Sequence, residues 1–338
     1  MQSTGDPVVL GAYAALRAYK KRLLLISAMT LSSPLAQAGD LVERSSIVRI
    51  HLANTVLREP SDWRSGRHPD VYPDPDLVRR RNLTIILGNA FAVGLYGRNN
   101  WWRDGFTNDF RTVNEGWFGQ NTYSGGADKL GHFYMNYAGT RLLSRVFEWV
   151  GNSPAHSLEL GAWLTLGTYT AVEIVDGFSK KWHFSREDAL INVAGVGAAL
   201  LFEKNPQLDR LLDLRFLYRP SKSDSDRFAP FSDYSAQTYL LVAKASGVPA
   251  LRNHPWLRYV EVAIGYGVRG YHDDPSRAGE RSRYVYAGIS LNLSELFGET
   301  VFKGSGERGR AQRVTDTALE FVQVPGTAAL GRHRLSSD

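Results

Sequence analysis

Six residues in the middle of the chain have types and spacings that can do chemistry. Asp128 and His132 are four apart, so on a helix they project from one face about one turn from each other. A carboxylate so placed can orient an imidazole as a general acid or base, or as a metal ligand. Glu173 and Asp176, three apart, share a face at the end of an apolar run, and Asp188 and Asn192 repeat the four-residue spacing on the next. An isolated charge among apolar side chains costs several kcal/mol unless it meets a partner. The economical arrangement brings three helices together so that these groups form one cluster, with Lys129, Arg141 or Lys181 as counter-charge.

In a catalytic version of that cluster His132 is the acid or base and Asp128 orients it. Glu173 and Asp176 polarise a substrate or hold a cation, and Lys129, Asp188 and Asn192 contact the substrate. Simpler explanations exist for half of the positions. Asp188 follows Ser185 by three, the pattern of a capping box in which each side chain satisfies a free backbone N–H. Asp128 follows Ser124-Gly125-Gly126 and can cap its own helix, and Asn192 on a Gly-rich face can hydrogen-bond between helices. His132 and Glu173 have no local explanation of that kind. No HExxH metal spacing and no GxSxG nucleophile motif is present, so no metal is assigned and no cofactor follows from these residues.

Three helices must position the cluster. Asp128 to Val150 stops at Gly151-Asn152-Ser153-Pro154, Leu158 to Asp176 stops at Gly177, and Ser185 to Phe202 stops before Asn205-Pro206. The last two are apolar nearly all round and carry Gly161, Gly167, Gly195 and Gly197, which let helix backbones approach closely in a membrane bundle or in a tight soluble core. Upstream, Thr84 to Tyr96 reads as a short buried or interfacial helix, followed by an aromatic loop from Trp101 to Phe118. The Pro-rich, charged stretch from Glu59 to Asp76 reads as surface loop.

Beyond a polar linker, Tyr218 to Ser232, the period changes from helical to alternating. Tyr259 to Tyr271 places Val260, Val262, Ile264, Tyr266 and Val268 on one face, and Tyr284 to Leu293 places Val285, Ala287, Ile289, Leu291 and Leu293 on one face. Tyr234 to Ala245 fits a third strand or a helix. Alternation of this kind suits strands of an outer-membrane barrel or a small soluble antiparallel sheet. The fold class expected is therefore α+β, a central bundle of apolar helices followed by a C-terminal antiparallel strand region. The expected organisation is a signal peptide at 1–38, a helical and loop region at 39–124, a helical domain at 125–217, strands at 218–300 and a loose charged tail at 301–338.

The N-terminus supplies the address. Lys20, Lys21 and Arg22 precede the apolar run Leu23 to Leu31, and Ala36-Gln37-Ala38 stands ahead of Gly39. That is the order of a cleavable signal peptide cut after Ala38, and the run is shorter than the roughly 20 residues that span a bilayer. The chain has no cysteine, which excludes disulfides, thiolate metal sites, a cysteine nucleophile and lipidation of an N-terminal cysteine. A net charge of +6 is spread along the sequence rather than gathered, which argues against nucleic-acid binding. Eight Trp and 16 Tyr favour surfaces where apolar matter meets water, as at a membrane.

The ordered set Asp128-Lys129-x-x-His132-Phe133, Glu173-x-x-Asp176-Gly177-Phe178, Trp182-x-Phe184-Ser185-x-x-Asp188 and Asn192-x-x-Gly195 resembles the YfiM-like family of predicted periplasmic proteins of unknown function. More distantly it is similar to the VanZ-like membrane proteins. Those usually carry an arginine ahead of Phe-Ser, where this chain has Lys180 and Lys181. The resemblance covers about a quarter of the chain and implies an envelope location and a shared helical site, without a reaction. The expectation is an exported envelope protein of the periplasm or outer membrane, membrane-associated, with a structural or ligand-binding role. Its partners are membrane or envelope lipid and an envelope protein. The alternative is a hydrolase or transferase acting on a lipid-linked or cell-wall glycan substrate through His132.

Overall fold

Helix α1 (Pro75–Asn100) starts where the Asp74 side chain accepts the amide of Asp76 and Pro75 presets φ. A computed structural model describes residues 74–221, 230–231, 233–272, 276, 278–303 and 309–336. The signal-peptide segment 1–38 and most of the 59–76 loop lie outside them. Helix α1 is twice the length expected from Thr84 to Tyr96, and most of its circumference is exposed.

The chain then runs through an aromatic loop that contains β1 (Thr112–Val113) and reaches helix α2 (Ala127–Trp149) through two glycines in left-handed conformation. A Cβ on Gly125 or Gly126 would strike the rings of Tyr271 or Phe118, so this turn demands glycine twice over. Helix α3 (Pro154–Asp176) is capped by Ser153 with Pro154 at its first position. Strand β2 (Phe184–Ser185) pairs in parallel with β1 and leads directly into α4 (Arg186–Lys204). Helices α2, α3 and α4 pack side by side, closely enough that a Cβ on Gly161 would lie 2.7 Å from Thr140 O and one on Gly195 2.3 Å from Phe133 O. The three helices expected to position the cluster are thus all present, with ends shifted by up to a turn.

A short helix α5 (Pro206–Leu211) turns the chain into a five-stranded antiparallel sheet of β3 (Leu212–Tyr218), β4 (Gln237–Lys244), β5 (Val260–Arg269), β6 (Ser282–Leu291) and β7 (Ala328–Arg334), in that spatial order. Helices α6 (Pro249–Arg252) and α7 (Leu293–Thr300) decorate its connections, and α8 (Arg310–Phe321) precedes the last strand. The structure is α+β, as expected. The segment Tyr234 to Ala245 is a turn of 3-10 helix followed by strand β4, and Leu293 opens a helix instead of ending β6.

The apolar faces of β5 and β6 coincide in register, with Val262 opposite Ile289 and Ile264 opposite Ala287. That shared face is largely exposed, while the other side buries Glu261, Arg215, Asp213 and Ser290, with Arg215 bridging Asp213 and Glu261 at 2.5 and 2.7 Å. Alternation fixed which residues share a face; it did not say which face turns inward.

The segment 301–338, expected to be a loose tail, contains α8 and β7. Phe321 is buried with Tyr134, Tyr137 and Phe202, and β7 extends the sheet along β6. The charges that suggested a tail are used: Glu320 binds Arg141 at 2.6 Å and Arg145 at 2.5 Å. Strand β3 likewise begins inside the region expected to be helical. Helices and sheet meet in one core, where Tyr134, Tyr137 and Phe202 pack with Phe216, Leu214 and Tyr239. Each large ring so buried contributes about 2–3 kcal/mol. No helix among the described residues is long and apolar enough to cross a membrane.

Candidate functional site

The first turn of α2, the last turn of α3 and the first turn of α4 end at the same level of the bundle, which is why residues up to 60 positions apart meet there. Lys129, buried in the middle, places its ammonium 2.7 Å from Asp188 Oδ1 and 3.2 Å from Asp128 Oδ2, and also bonds Glu115. His132 stands beside it. Its Nδ1 is 3.0 Å from Asn192 Oδ1 and 3.7 Å from Glu173 Oε1, and its Nε2 is 3.9 Å from Asp128 Oδ1. Asn136, one further turn along α2, donates to Asn192 Oδ1 at 2.6 Å and so continues the Asp128–His132 series. The ring of Tyr169 lies edge-on to the imidazole at 6.0 Å.

Asp188 does not complete a capping box. Ser185 Oγ accepts the Asp188 amide, but the Ser185 amide donates to Glu173 Oε2 at 3.3 Å, which frees the Asp188 carboxylate for Lys129. Nor does Asp128 cap its own helix; its amide donates to Ser124 Oγ, and its carboxylate faces Lys129, His132 and the Tyr234 hydroxyl. Asp176 lies at the edge of the group, where its Oδ1 accepts the Trp102 indole N–H at 2.6 Å. Of the three counter-charges expected, Lys129 alone serves the cluster. Arg141 is buried in a separate network with Glu203, Asp209 and Glu320, and the Lys181 ammonium lies over the Trp182 ring.

Two members were not legible as such. Glu115 sits in an irregular loop and reaches Lys129 because the β1–β2 pairing pins that loop to the start of α4. No spacing pattern marks it. Asn136 could have been found, since it extends the four-residue series from His132.

Burial and mutual repulsion set the charge state. Burial disfavours the His132 imidazolium, but Asp188, Asp128 and Glu173 outweigh it and push the pKa up to about 9. Burial holds Glu173 up at about 8 against the attraction of His132. Burial, together with the charges of Asp128 and Asp188, holds Glu115 at about 8 and overcomes Lys129. Asp176 is raised to about 6, by burial. Burial and the charge of Asp188 raise Asp128, whereas Asp188 itself is lowered, because His132 and Lys129 overcome its burial. At neutral pH the centre therefore holds two cations, an ionised Asp188 and protonated Glu115 and Glu173.

Asp128, His132 and Asp188 each offer a ligand atom, all within 4.8 Å of one another, a donor set that suits a divalent cation. The Lys129 ammonium occupies the adjoining position. An apolar groove of about 270 Å³ borders a different face of α2, where Leu130, Phe133 and Tyr134 meet the sheet; no residue of the cluster lines it.

No curated protein and no solved structure matches the chain. Glu115, Asp128, Lys129, His132, Asn136, Glu173, Asp176, Asp188 and Asn192 all fall within the one segment that a family model recognises. Residues 114–204 match a family described as predicted periplasmic lipoprotein (DUF2279), whose function is unknown and whose description supports a location in the cell envelope.

Proposed function

We propose that the protein is a membrane-associated envelope binding protein whose Asp128–Lys129–His132–Glu173–Asp188 centre takes up a ligand carrying positive charge. The observation that carries this reading is the imbalance of charge in the cluster: among the described residues, Glu115, Asp128, Glu173, Asp176 and Asp188 share two cationic side chains, Lys129 and His132. Five carboxylates against two cations is an arrangement that must keep protons or gain a cation. Glu115 and Glu173 with values near 8 keep protons when no cation is bound. An entering cation displaces them, so binding releases protons and tightens as pH rises through about 8. The partial exposure of Asp128, His132 and Glu115 gives the ligand a way in. The similarity of the Asp128-to-Gly195 motifs to YfiM-like and VanZ-like proteins and the signal-peptide pattern ending at Ala38 support export and an envelope ligand.

The test is calorimetry on the mature protein with calcium, manganese and zinc chlorides and with ethanolamine, at pH 6, 7 and 8.5 in buffers of differing protonation enthalpy. The expected result is a cation that binds more tightly at higher pH with proton release, and loses at least about tenfold in affinity in folded Asp128→Asn and Glu173→Gln variants. Metal ions and the amine report separately on which kind of cation is taken. Absence of binding by all four probes at every pH refutes the reading.

A second reading rests on the pair His132 and Glu173, 3.7 Å apart with values of about 9 and 8. Such a pair can deliver a proton to a leaving oxygen, as a hydrolase or transferase of lipid-linked or cell-wall glycans requires. This reading predicts that the protein turns over a lipid-linked or cell-wall glycan substrate and that folded His132→Ala loses that turnover while retaining ligand affinity.

A further inference from the structure

Helix α1 has no charged residue between Asn82 and Gly97, about 24 Å of helix at 1.5 Å per residue. It touches the rest of the protein through one stripe, in which Asn82 bonds Asn152 and Asn89 bonds Thr168. A helix that is apolar all round is normally buried. Here the side chains facing outward are Leu87 and Phe91, and they continue a theme: Trp163 on α3 and Leu190, Val193 and Leu201 on α4 also point away from the bundle. All six are between 54% and 72% exposed, far from the situation of a core residue. The runs Leu160–Val172 of α3 and Ala189–Phe202 of α4 are likewise free of charge.

Basic residues close both ends of the α1 run and stand near both ends of the α4 run, whereas the α3 run lies between Glu159 and Glu173. Arg79, Arg80 and Arg81 precede the α1 run, Arg98 and Arg103 follow it, and Arg186 and Lys204 bracket that of α4. Trp101, Trp102 and Trp182 gather at the end that holds the polar cluster, and Trp149 is 79% exposed at the other. Apolar side chains between belts of tryptophan and arginine match the layers of a phospholipid surface, with acyl chains beneath a plane of phosphates. A run of 20–24 Å falls short of the roughly 30 Å of a hydrocarbon core, so the fit is immersion from one side rather than a crossing.

We infer that the outward faces of α1, α3 and α4 form the surface by which this protein enters one leaflet of a membrane containing anionic phospholipid. The inference rests on the proposed envelope location and is independent of what the polar cluster binds. The basic ends attract anionic headgroups, each near the surface by about 1 kcal/mol, and the apolar face supplies the insertion.

The test is flotation of the mature protein with vesicles of phosphatidylcholine alone and of phosphatidylcholine with a third phosphatidylglycerol. Wild-type protein is expected to float with the mixed vesicles and at least about tenfold less with the neutral ones. The double variant L87E/F91E is expected to lose flotation by a similar factor. V314E adds a charge at an exposed valine on α8 and is expected to float like wild type. Three results overturn the inference: wild type that stays at the bottom of both gradients, L87E and F91E together behaving like V314E, or a lipid-free dimer in ultracentrifugation that L87E/F91E dissociates, which assigns the face to a second copy. Since Glu173 and Asp188 lie outside this face, calorimetric cation binding by L87E/F91E separates failure of the membrane surface from failure of the binding centre.

Discussion

Replacing Glu173 by glutamine removes one titratable proton from the centre while preserving shape and the acceptor oxygen that takes the Ser185 amide. Burial raises this carboxyl from 4.5 to about 8, and attraction by His132 only moderates the rise. The unfolded chain therefore ionises the group from about pH 4.5 upward, while the folded chain keeps its proton until about pH 8. The stability linked to it is complete below the unfolded value and is lost as pH rises through the folded one. At about 1.4 kcal/mol per unit, the full interval corresponds to about 5 kcal/mol. His132, raised from 6.5 to about 9, adds to the loss in the same direction, and part of its rise comes from Glu173. Urea unfolding of the cation-free protein between pH 5 and 9 should show wild-type stability falling across this range. Glu173→Gln should track wild type to within about 1 kcal/mol at pH 5 and exceed it by about 4 kcal/mol at pH 8.5. Parallel curves for the two proteins from pH 5 to 9 would falsify the assignment of Glu173 as a buried, proton-holding carboxyl.

Lys129→Met leaves Asp188, Asp128 and Glu115 facing one another without their ammonium, and should cost about 3–5 kcal/mol at pH 7. Because carboxylates take up protons on acidification, part of that loss should return at pH 5; a deficit independent of pH in urea unfolding counts against the pairing. Gly195→Ala puts a methyl group 2.3 Å from Phe133 O and 2.8 Å from Asn136 Cβ, so α2 and α4 must separate at the site, at about 1–3 kcal/mol. Gly197→Ala, two residues on, meets nothing within 4 Å and should instead stabilise the protein through better helix propensity, by about 0.5–1 kcal/mol, read as a higher thermal midpoint. Equal effects of the two substitutions would contradict the close approach of these helices.

The sequence determined the helices and most of the cluster because both are written in short-range spacing. Four-residue intervals place Asp128 with His132 and Asp188 with Asn192 on single helix faces whatever those helices pack against. The desolvation cost of charges on apolar helices then requires that they meet. Stop signals at Gly151 to Pro154 and Asn205-Pro206, and the Ser185 cap, located the ends.

Tertiary structure alone decided matters that depend on which distant surfaces meet. Glu115 joins the centre through a two-residue strand pairing, and Glu173 takes the cap role expected of Asp188 because α3 ends beside the start of α4. Arg141 and Lys181 were equal candidates with Lys129 by sequence, but only Lys129 lies at the level where three helix ends converge. The segment after 301 looked like a tail because its charges are dense; Phe321 and Glu320 find partners on α2, and β7 is held by backbone hydrogen bonds to β6 that no side-chain pattern announces. Periodicity likewise named the apolar faces of β5 and β6, and composition the apolar circumference of α4, without saying whether protein covers them, because a pattern along the chain carries no information about what lies opposite. It is the packing of α2 against the sheet and against α3 and α4 that leaves those faces exposed among the described residues and encloses the carboxylates, and both the proposed binding centre and the proposed membrane surface rest on that division.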